Sequence, residues 1–406
     1  MHAVSANDLR RFNRSRVLTE LMLGDARSRP ELAQHLGLSL MAVVRIVKEL
    51  HEVGLIDEGE GRMIRSESPG RPAAELRVNS RGGYVLGFVI NALEQSVTLS
   101  DLCGRQVACD ALKHVTALDG EGTVLEFIEC ARRQMRAAGV DPLRVLGVGI
   151  ATTGQVDRQR GVLVEAPYLG WAQIELARAV ESSLGVPAVV DGTANTLLAA
   201  EWRVAEKSMQ DALLFHIGFG IGCGVLIDGR IAKGATLNVG QFGHAPMGDK
   251  NRVCSCGSRG CLNTVASGWA ALADLGEIRS QVATAEEFQR YRPLLTELLS
   301  RADAGEETAH KALREAGRRF GEAVRVLKVT LDPARILLAG PVGKHPAFLE
   351  GAQDGAREDA GSLLVSCEID LRSAAASLAL DEFVLSSRFP LERLRSARRR
   401  EIEAAA

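Results

Sequence analysis

One histidine and three closely spaced cysteines form the group of residues in this chain that is best suited to chemistry. His244 precedes Cys254, Cys256 and Cys261, and glycines separate the last two cysteines. Thiolates and imidazole nitrogens are preferred ligands of tetrahedral Zn²⁺, and four protein ligands leave no open position for a substrate. The pattern therefore predicts a structural zinc site, although it is also compatible with three unrelated cysteines or a redox pair.

A second motif is a run in which glycine occupies every second position from 218 to 224. On a strand–turn–strand, this alternation clears one face so that a ligand or another backbone can approach closely. The spacing matches neither the dinucleotide-binding nor the P-loop pattern. The glycine run is therefore compatible both with a loop that binds phosphate and with a purely structural hairpin.

The first 60 residues predict a helix-turn-helix. Residues 8–57 contain three short helical patterns; Ser28 and Glu31 have the form of a capping box, Gly37 makes a turn, and Ser39 caps a third helix that runs to about Glu52. The glycines that follow suit a β-hairpin wing. This order of elements is typical of a winged helix-turn-helix, and a plain three-helix bundle with a basic face is the alternative.

In such a domain the third helix enters the major groove, where Arg45 and Lys48 are the obvious readers of base edges. Leu40, Met41 and Val44 cannot all be core residues, so some would touch thymine methyl groups or signal weak specificity. Arg71, between Gly70 and Pro72, has the form of a minor-groove arm. The full set of predicted DNA contacts is Arg14, Arg16, Ser28, Arg29, Ser39, Leu40, Met41, Val44, Arg45, Lys48 and Arg71.

Composition and net charge indicate the class of protein in which these motifs occur. A chain of 406 residues, 46% hydrophobic and 25% charged, predicts two or three globular domains. The net charge is −2, and residues 1–80 hold 12 basic and 11 acidic side chains, so charge that attracts DNA must be local. The start of the chain lacks the apolar core of a signal peptide, and no apolar run approaches about 18 residues. We expect a soluble, cytoplasmic protein.

Beyond residue 84 the pattern becomes α/β. Three successive strands are predicted at 84–90, 95–99 and 105–108, and a similar triplet at 212–217, 223–227 and 230–232. Further buried strands are predicted at 145–150, 187–190 and 336–338. Two copies of a three-strand-plus-helix unit predict two similar lobes.

Taken together, these motifs resemble the ROK (repressor, open reading frame, kinase) family. The resemblance covers nearly the whole chain and is most specific in Gly240-Gln-Phe-Gly-His244 and in the Cys-x-Cys-Gly-x-x-Gly-Cys-Leu string from Cys254 to Leu262. It implies an actin-like (ribonuclease-H-like) sugar-kinase-type body of two lobes, with Zn²⁺ held by His244, Cys254, Cys256 and Cys261. It also implies a homodimer or homotetramer and control of carbohydrate genes.

The sequence departs from the kinase branch of this family. Kinases place Asp-x-Gly-Gly-Thr in the first hairpin, where this chain has no glycine from Ile90 to Glu94. Thr193 stands where the catalytic Asp belongs, and a hydroxyl is not a general base near neutral pH. Asp191 lies two residues earlier and could correspond to the catalytic Asp only if the alignment were shifted. Gln241 and Asn263 replace two sugar-binding glutamates and lack the charge that strengthens hydrogen bonds to hydroxyls.

The resulting prediction is a DNA-binding transcriptional regulator, most simply a repressor of carbohydrate uptake or metabolism, with a catalytically inactive body. The alternative is an ATP-dependent carbohydrate kinase with an appended DNA-binding domain. Asn195, Gln241, His244 and Asn263 are the predicted effector contacts; because these motifs place no cation, a neutral sugar or polyol is favoured, and a regulatory protein is the other candidate partner. The predicted divisions are a DNA-binding domain (1–68), a linker (69–81), a first lobe (82–190, joined by a helix at 372–387), a second lobe (191–371) and a basic tail (388–406).

Overall fold

The N-terminal part of the computed structural model is a three-helix unit followed by a hairpin. The structure describes residues 6–25, 27–64, 73–112, 119–205, 208–235, 239–279 and 285–405. Helices α1 (Ala6–Leu23), α2 (Arg29–Leu36) and α3 (Leu40–Glu52) pack around Val17, Leu32 and Val47. The Ser28–Glu31 capping box is present, Gly37 ends α2 in the left-handed region at φ 61°, and Ser39 caps α3. The predicted helix-turn-helix is confirmed.

The wing is an antiparallel pair of strands, β1 (Ile56–Ile64) and β2 (Ala73–Val78). The predicted linker over 69–81 is therefore wrong for residues 73–78. Leu76 of β2 is fully buried, and its backbone N–H donates to the Arg27 carbonyl at 2.7 Å, so this segment belongs to the core of the first domain. The stretch between the two strands, which includes Arg71, lies outside the described residues.

Two five-stranded sheets with the same topology form the body. In each, an antiparallel triplet continues into two parallel strands, in the orders β10-β6-β3-β4-β5 and β13-β12-β11-β14-β15. The predicted duplication and the α/β, actin-like fold class are confirmed. A separate three-stranded sheet, β7-β8-β9, was not anticipated. The strands of the body are β3 (Tyr84–Ile90), β4 (Gln95–Asp101), β5 (Gln106–Ala111), β6 (Val145–Thr152), β7 (Gln155–Asp157), β8 (Val162–Ala166), β9 (Trp171–Ile174), β10 (Ala188–Gly192), β11 (Ala212–Ile217), β12 (Ile221–Ile227), β13 (Arg230–Ile231), β14 (Arg335–Ala339) and β15 (Leu364–Ser366).

Helices cover both sheets, as expected where buried parallel strands must be shielded from water. The long, amphipathic helix α10 (Glu307–Leu331) lies against the second sheet, where Phe320 stacks edge-on against Phe215 of β11. The helices of the body are α4 (Gly120–Ala137), α5 (Leu176–Leu184), α6 (Thr193–Val204), α7 (Asn263–Ala266), α8 (Gly268–Asp274), α9 (Ala285–Asp303), α10 (Glu307–Leu331), α11 (Gly340–Gly343), α12 (Pro346–Ala356), α13 (Glu358–Gly361), α14 (Leu371–Phe383) and α15 (Leu391–Ala405).

The end of the chain returns to the first sheet. Helix α14 lies directly on β3 and β6, and residues 388–406, predicted as a basic tail, form helix α15 over most of their length. Leu391 and Leu394 of α15 are buried in one cluster with α1, α3 and the first sheet, and Ala397 is also buried. Describing this segment as a tail was wrong, because its arginines lie around an apolar stripe with helical spacing.

The close approach of α14 makes Gly149 of β6 a sensitive position. A Cβ there would lie 2.2 Å from the Ala375 carbonyl oxygen, a backbone atom that cannot rotate away. We expect Gly149→Ala to destabilise the protein by about 3 kcal/mol through overpacking. Gly192→Ala is the matched control because a Cβ meets nothing within 4 Å there and φ is −66°. Urea unfolding measures both, and equal midpoints would contradict this packing.

Among the described residues, no helix is both long and apolar enough to cross a bilayer.

Candidate functional site

The residues predicted to bind metal come together in one cluster. The candidate ligand atoms of His244, Cys254, Cys256 and Cys261 all lie within 4.8 Å of one another. Cys256 Sγ is 3.7 Å from Cys261 Sγ, and Cys254 Sγ is 3.5 Å from His244 Nδ1. A tetrahedral Zn²⁺ with its usual bond lengths requires ligand separations of about 3.8 Å between sulfurs and about 3.5 Å between sulfur and nitrogen. The donor set and its spacing therefore fit a closed metal site.

Tight turns hold the three cysteines in place. The Cys254 N–H donates to the Ser258 carbonyl at 2.8 Å and the Gly257 N–H to the Cys254 carbonyl at 2.9 Å, while Gly257 adopts φ 82°. Burial raises the pKa of the Cys261 thiol. A thiolate at this position is thus costly without a cation, and a bound metal would supply one.

A large cavity lies between the two lobes, next to this cluster. It encloses about 1460 Å³ and is lined by strand ends and loops from both lobes, including the glycine run. All four predicted effector contacts, Asn195, Gln241, His244 and Asn263, line it. Asn195 Nδ2 donates to Asp191 at 3.1 Å, and Asn263 Oδ1 accepts from the Ile221 N–H at 2.8 Å. Asn195 and Asn263 are thus held by their surroundings and do not bond each other.

Charged groups that the sequence reasoning missed also line the cavity. Arg158 bridges Asp191 and Glu382, with its Nη2 2.8 Å from the Glu382 carboxylate. Arg230 and Lys233 are exposed at another part of the wall. The sequence motifs of the predicted effector pocket place no cation, and the structure adds Arg158, Arg230 and Lys233 to the wall from segments without a recognisable motif. Burial lowers the pKa of His216 to about 4, so this imidazole is neutral near pH 7.

The positions that correspond to kinase chemistry are occupied differently. Thr193 is buried at the start of α6, and its hydroxyl has no hydrogen-bond partner among the described residues. Asp191, two positions earlier, accepts hydrogen bonds from the Gly192 N–H at 2.8 Å and from Asn195, in addition to its ion pair with Arg158. This carboxylate therefore has partners on three sides, from Arg158, the Gly192 backbone and Asn195.

In the first hairpin, between β3 and β4, the Asn91 side chain closes the turn through hydrogen bonds to the backbone. Asn91 Oδ1 accepts from the Leu93 and Glu94 N–H groups, both at 2.7 Å. Leu93 then projects onto the glycine run, where its Cδ1 lies 2.7 Å from the position that a Cβ on Gly218 would take. An apolar side chain therefore fills the space between this hairpin and the glycine run.

One face of α3 is exposed and carries most of the predicted base-reading side chains. Met41 is 70% exposed and Leu40 50% exposed, and Arg45 and Lys48 also reach solvent. Val44 is half-buried. Throughout, the α3 surface denotes Ser39, Leu40, Met41, Arg45 and Lys48.

Several predicted phosphate contacts have other partners instead. Arg14 is only 6% exposed and donates to the buried Glu49 carboxylate at 3.0 Å, and Ser28 is buried as the cap of α2. For these two residues the prediction of a DNA contact was wrong. Arg16 donates to the Leu36 carbonyl at 2.6 Å, and Arg29 pairs with Glu58. Such pairings depend on tertiary structure, which the sequence pattern does not contain.

Residues 97–361 match the model of the ROK family. The chain belongs to the ROK family.

Curated ROK relatives include proteins that regulate genes. The xylose repressor of Caldicellulosiruptor bescii is 24% identical over 81% of this chain and 83% of its own length. The DNA-binding transcriptional dual regulator NagC of Escherichia coli K12 is also 24% identical, over 87% of this chain and 88% of its own length. Both alignments extend well beyond the 65% of the chain that the family model spans.

Solved ROK structures share the fold. A ROK family transcriptional regulator described as a homologue of the E. coli MLC protein superposes with a TM-score of 0.73 and 21% identity, covering 96% of this chain and all of its own. A ROK family glucokinase from Streptomyces griseus, solved with glucose and AMPPNP, superposes with a TM-score of 0.58 and 24% identity, covering 74% of this chain and all of its own. Regulators and kinases of the family therefore share the two-lobed body.

Proposed function

We propose that this ROK protein is a cytoplasmic, sequence-specific DNA-binding regulator, most simply a repressor of carbohydrate uptake or metabolism genes. The observation that carries the proposal is the α3 surface, which is exposed to solvent. The opposite side of α3 is buried in one cluster with the body. Curated relatives named for xylose and for N-acetylglucosamine support the carbohydrate connection. The direct test is whether the protein selects one DNA sequence.

The body is proposed to lack kinase activity. Leu93 lies where a kinase hairpin would need glycine to approach a triphosphate, Thr193 offers no carboxylate, and Asp191 is held by Arg158 and Asn195. Since phosphoryl transfer depends on positioning the phosphates and the attacking hydroxyl, the loss of both elements removes the reaction. Incubation of the purified protein with ATP, Mg²⁺ and a panel of sugars should yield no sugar phosphate, whereas turnover dependent on one sugar would establish the kinase alternative.

The metal cluster is proposed to hold one structural Zn²⁺. Three thiolates and one imidazole favour zinc over harder cations, and four protein ligands leave no position for substrate. His244 Nδ1 faces Cys254, so its other ring nitrogen remains available to the cleft. The metal would fix the loop that carries Gln241 and His244.

The cleft is proposed to sense a small molecule, with a neutral sugar or polyol as the first choice. Gln241 has no hydrogen-bond partner among the described residues, and together with Asn195, His244 and Asn263 it offers uncharged donors and acceptors that match hydroxyl groups. Phosphorylated sugars and a regulatory protein are the alternative partners. Arg230 and Lys233 on the same wall are the reason to include phosphorylated sugars in any screen.

A calorimetric titration of neutral sugars tests the sensing role. We expect one sugar to bind and Gln241→Ala to weaken it about tenfold, as the loss of one or two hydrogen bonds predicts. The same substitution at exposed Gln173 is a control away from the predicted effector contacts. If no member of a broad panel produces heat or a thermal shift, and Gln241→Ala derepresses like the wild type, the cleft is not a sensor.

A physical route connects the cleft to DNA. Thr19 and Leu23 of α1 line the same cavity as the amides, beside Leu378 and Leu385. A ligand that favours a closed cleft would shift these contacts and the placement of the DNA-binding domains in the proposed homodimer or homotetramer. Binding would then weaken the affinity for DNA.

A further inference from the structure

A small groove lies where α1, α3 and α15 meet. It encloses about 410 Å³, a volume within the usual range of small-molecule sites. Six of its lining residues are arginines and two are glutamates. Because the DNA-binding domain supplies α1 and α3 while the body supplies α15, any occupant would touch both.

Arg14 is the central side chain of this groove. It is 94% buried, and its Nη2 donates to Glu49 Oε2 at 3.0 Å. Arg10 pairs with the same carboxylate, so two guanidinium groups share one negative charge. The Nε of Arg14 is buried and has no hydrogen-bond partner among the described residues. A buried charged donor of this kind is costly unless an acceptor reaches it.

The charges around Arg14 also favour a negatively charged acceptor in this groove. Burial and then the neighbouring Arg10, Arg395 and Arg11 lower the pKa of Arg14, which means that positive charge is crowded around it. Glu392 pairs with Arg395 at 2.6 Å, and it raises the pKa of Arg14 by less than the three arginines lower it. Arg11 is exposed at the rim. The groove therefore holds more positive than negative charge at close range.

We propose that this groove binds a small oxyanion, either inorganic phosphate or the phosphate group of a phosphorylated metabolite. Guanidinium groups match phosphate because they donate paired hydrogen bonds to its oxygens. Arg14, Arg11 and Arg395 line the same groove, and their guanidinium groups are the proposed donors to the anion, while Glu49 keeps Arg10 and Arg14 in place.

The groove is an unsuitable place for the DNA backbone. Glu49 lies on the buried side of α3, whereas Arg45 and Lys48 lie on the exposed side. DNA bound at the α3 surface would therefore meet the opposite face of the helix. A free anion is the better occupant, and by joining α1 to α15 it would stabilise the docked arrangement of the DNA-binding domain on the body.

Calorimetric titration of the full-length protein with inorganic phosphate, at constant ionic strength, tests the proposal. We expect saturable binding of one phosphate per chain. The double variant Arg11→Gln/Arg395→Gln removes two charged donors and should weaken binding at least about tenfold. Arg400→Gln, which removes a charge from an exposed position of the same helix outside the groove, should bind as the wild type does. Circular dichroism confirms that each variant is folded.

Two results would overturn the proposal. The first is the absence of saturable phosphate binding to the wild type, or equal binding by the double variant, which would place the anion elsewhere. The second comes from DNA titrations at several salt concentrations: a shallower salt dependence in the double variant would make the groove a contact for backbone phosphates.

Discussion

Replacing Cys261 by Ser is expected to abolish binding of the proposed Zn²⁺ and to unfold part of the second lobe. Cys261 is 1% exposed and its sulfur is 3.7 Å from that of Cys256, so a hydroxyl in its place leaves a buried, incomplete ligand set. Because a closed four-ligand site binds metal in the folded state, losing the metal lowers the free energy of unfolding. We expect a loss of about 4 kcal/mol, at the upper end for a single substitution.

Elemental analysis and thermal unfolding together measure this effect. The wild type should carry close to one zinc per chain, and Cys261→Ser should carry little and unfold at lower temperature. Cys103→Ser is the control, since Cys103 is exposed and lies outside the cluster. Freshly purified wild type without zinc would contradict the proposed metal site, as would a Cys261→Ser variant that retains full zinc content.

Removing the Arg45 side chain is expected to change how the protein reads DNA. Arg45 is exposed on the α3 surface and has no ion-pair partner among the described residues. If it donates two hydrogen bonds to a guanine, Arg45→Ala costs about 1–3 kcal/mol and lowers the affinity for the preferred site by roughly 10- to 100-fold. The loss should be concentrated at one base pair of each half-site.

Fluorescence anisotropy with the preferred site and its single-base variants measures this loss. Arg178→Ala is the matched control, because it removes an exposed arginine from α5 of the body, outside the α3 surface. The same loss on every sequence, with a shallower salt dependence, would make Arg45 a phosphate contact. An unchanged affinity would remove it from the interface.

The elements with strong local signals were predictable from the sequence. The caps at Ser28 and Ser39 define the helix-turn-helix because they satisfy backbone donors locally. The two strand triplets stand out as apolar runs separated by turns, one of them at Asp228-Gly229. The cysteine spacing likewise places three metal-ligand candidates within eight residues. The metal cluster could therefore be predicted without knowledge of the tertiary fold.

Features that depend on distant residues were not predictable. Arg14 and Glu49 are 35 positions apart, and nothing local distinguishes a buried, paired arginine from one that awaits a phosphate. Helix α15 appears as a basic tail because Arg393, Arg395 and Arg398 dominate its composition, although Leu391 and Leu394 anchor it in the core. Arg158 lines the cleft because it directly follows β7, a strand of the three-stranded sheet, and the sequence shows no clear strand pattern for that sheet.

The central claim is that this ROK protein recognises a particular DNA sequence. Selection from random duplex DNA with the purified full-length protein tests it most directly, followed by affinity measurements at about 0.15 M salt. We predict an inverted repeat with half-site centres about 10 or 21 base pairs apart, bound at least about 1,000-fold more tightly than random DNA. Equal affinity for selected and random DNA would contradict the account.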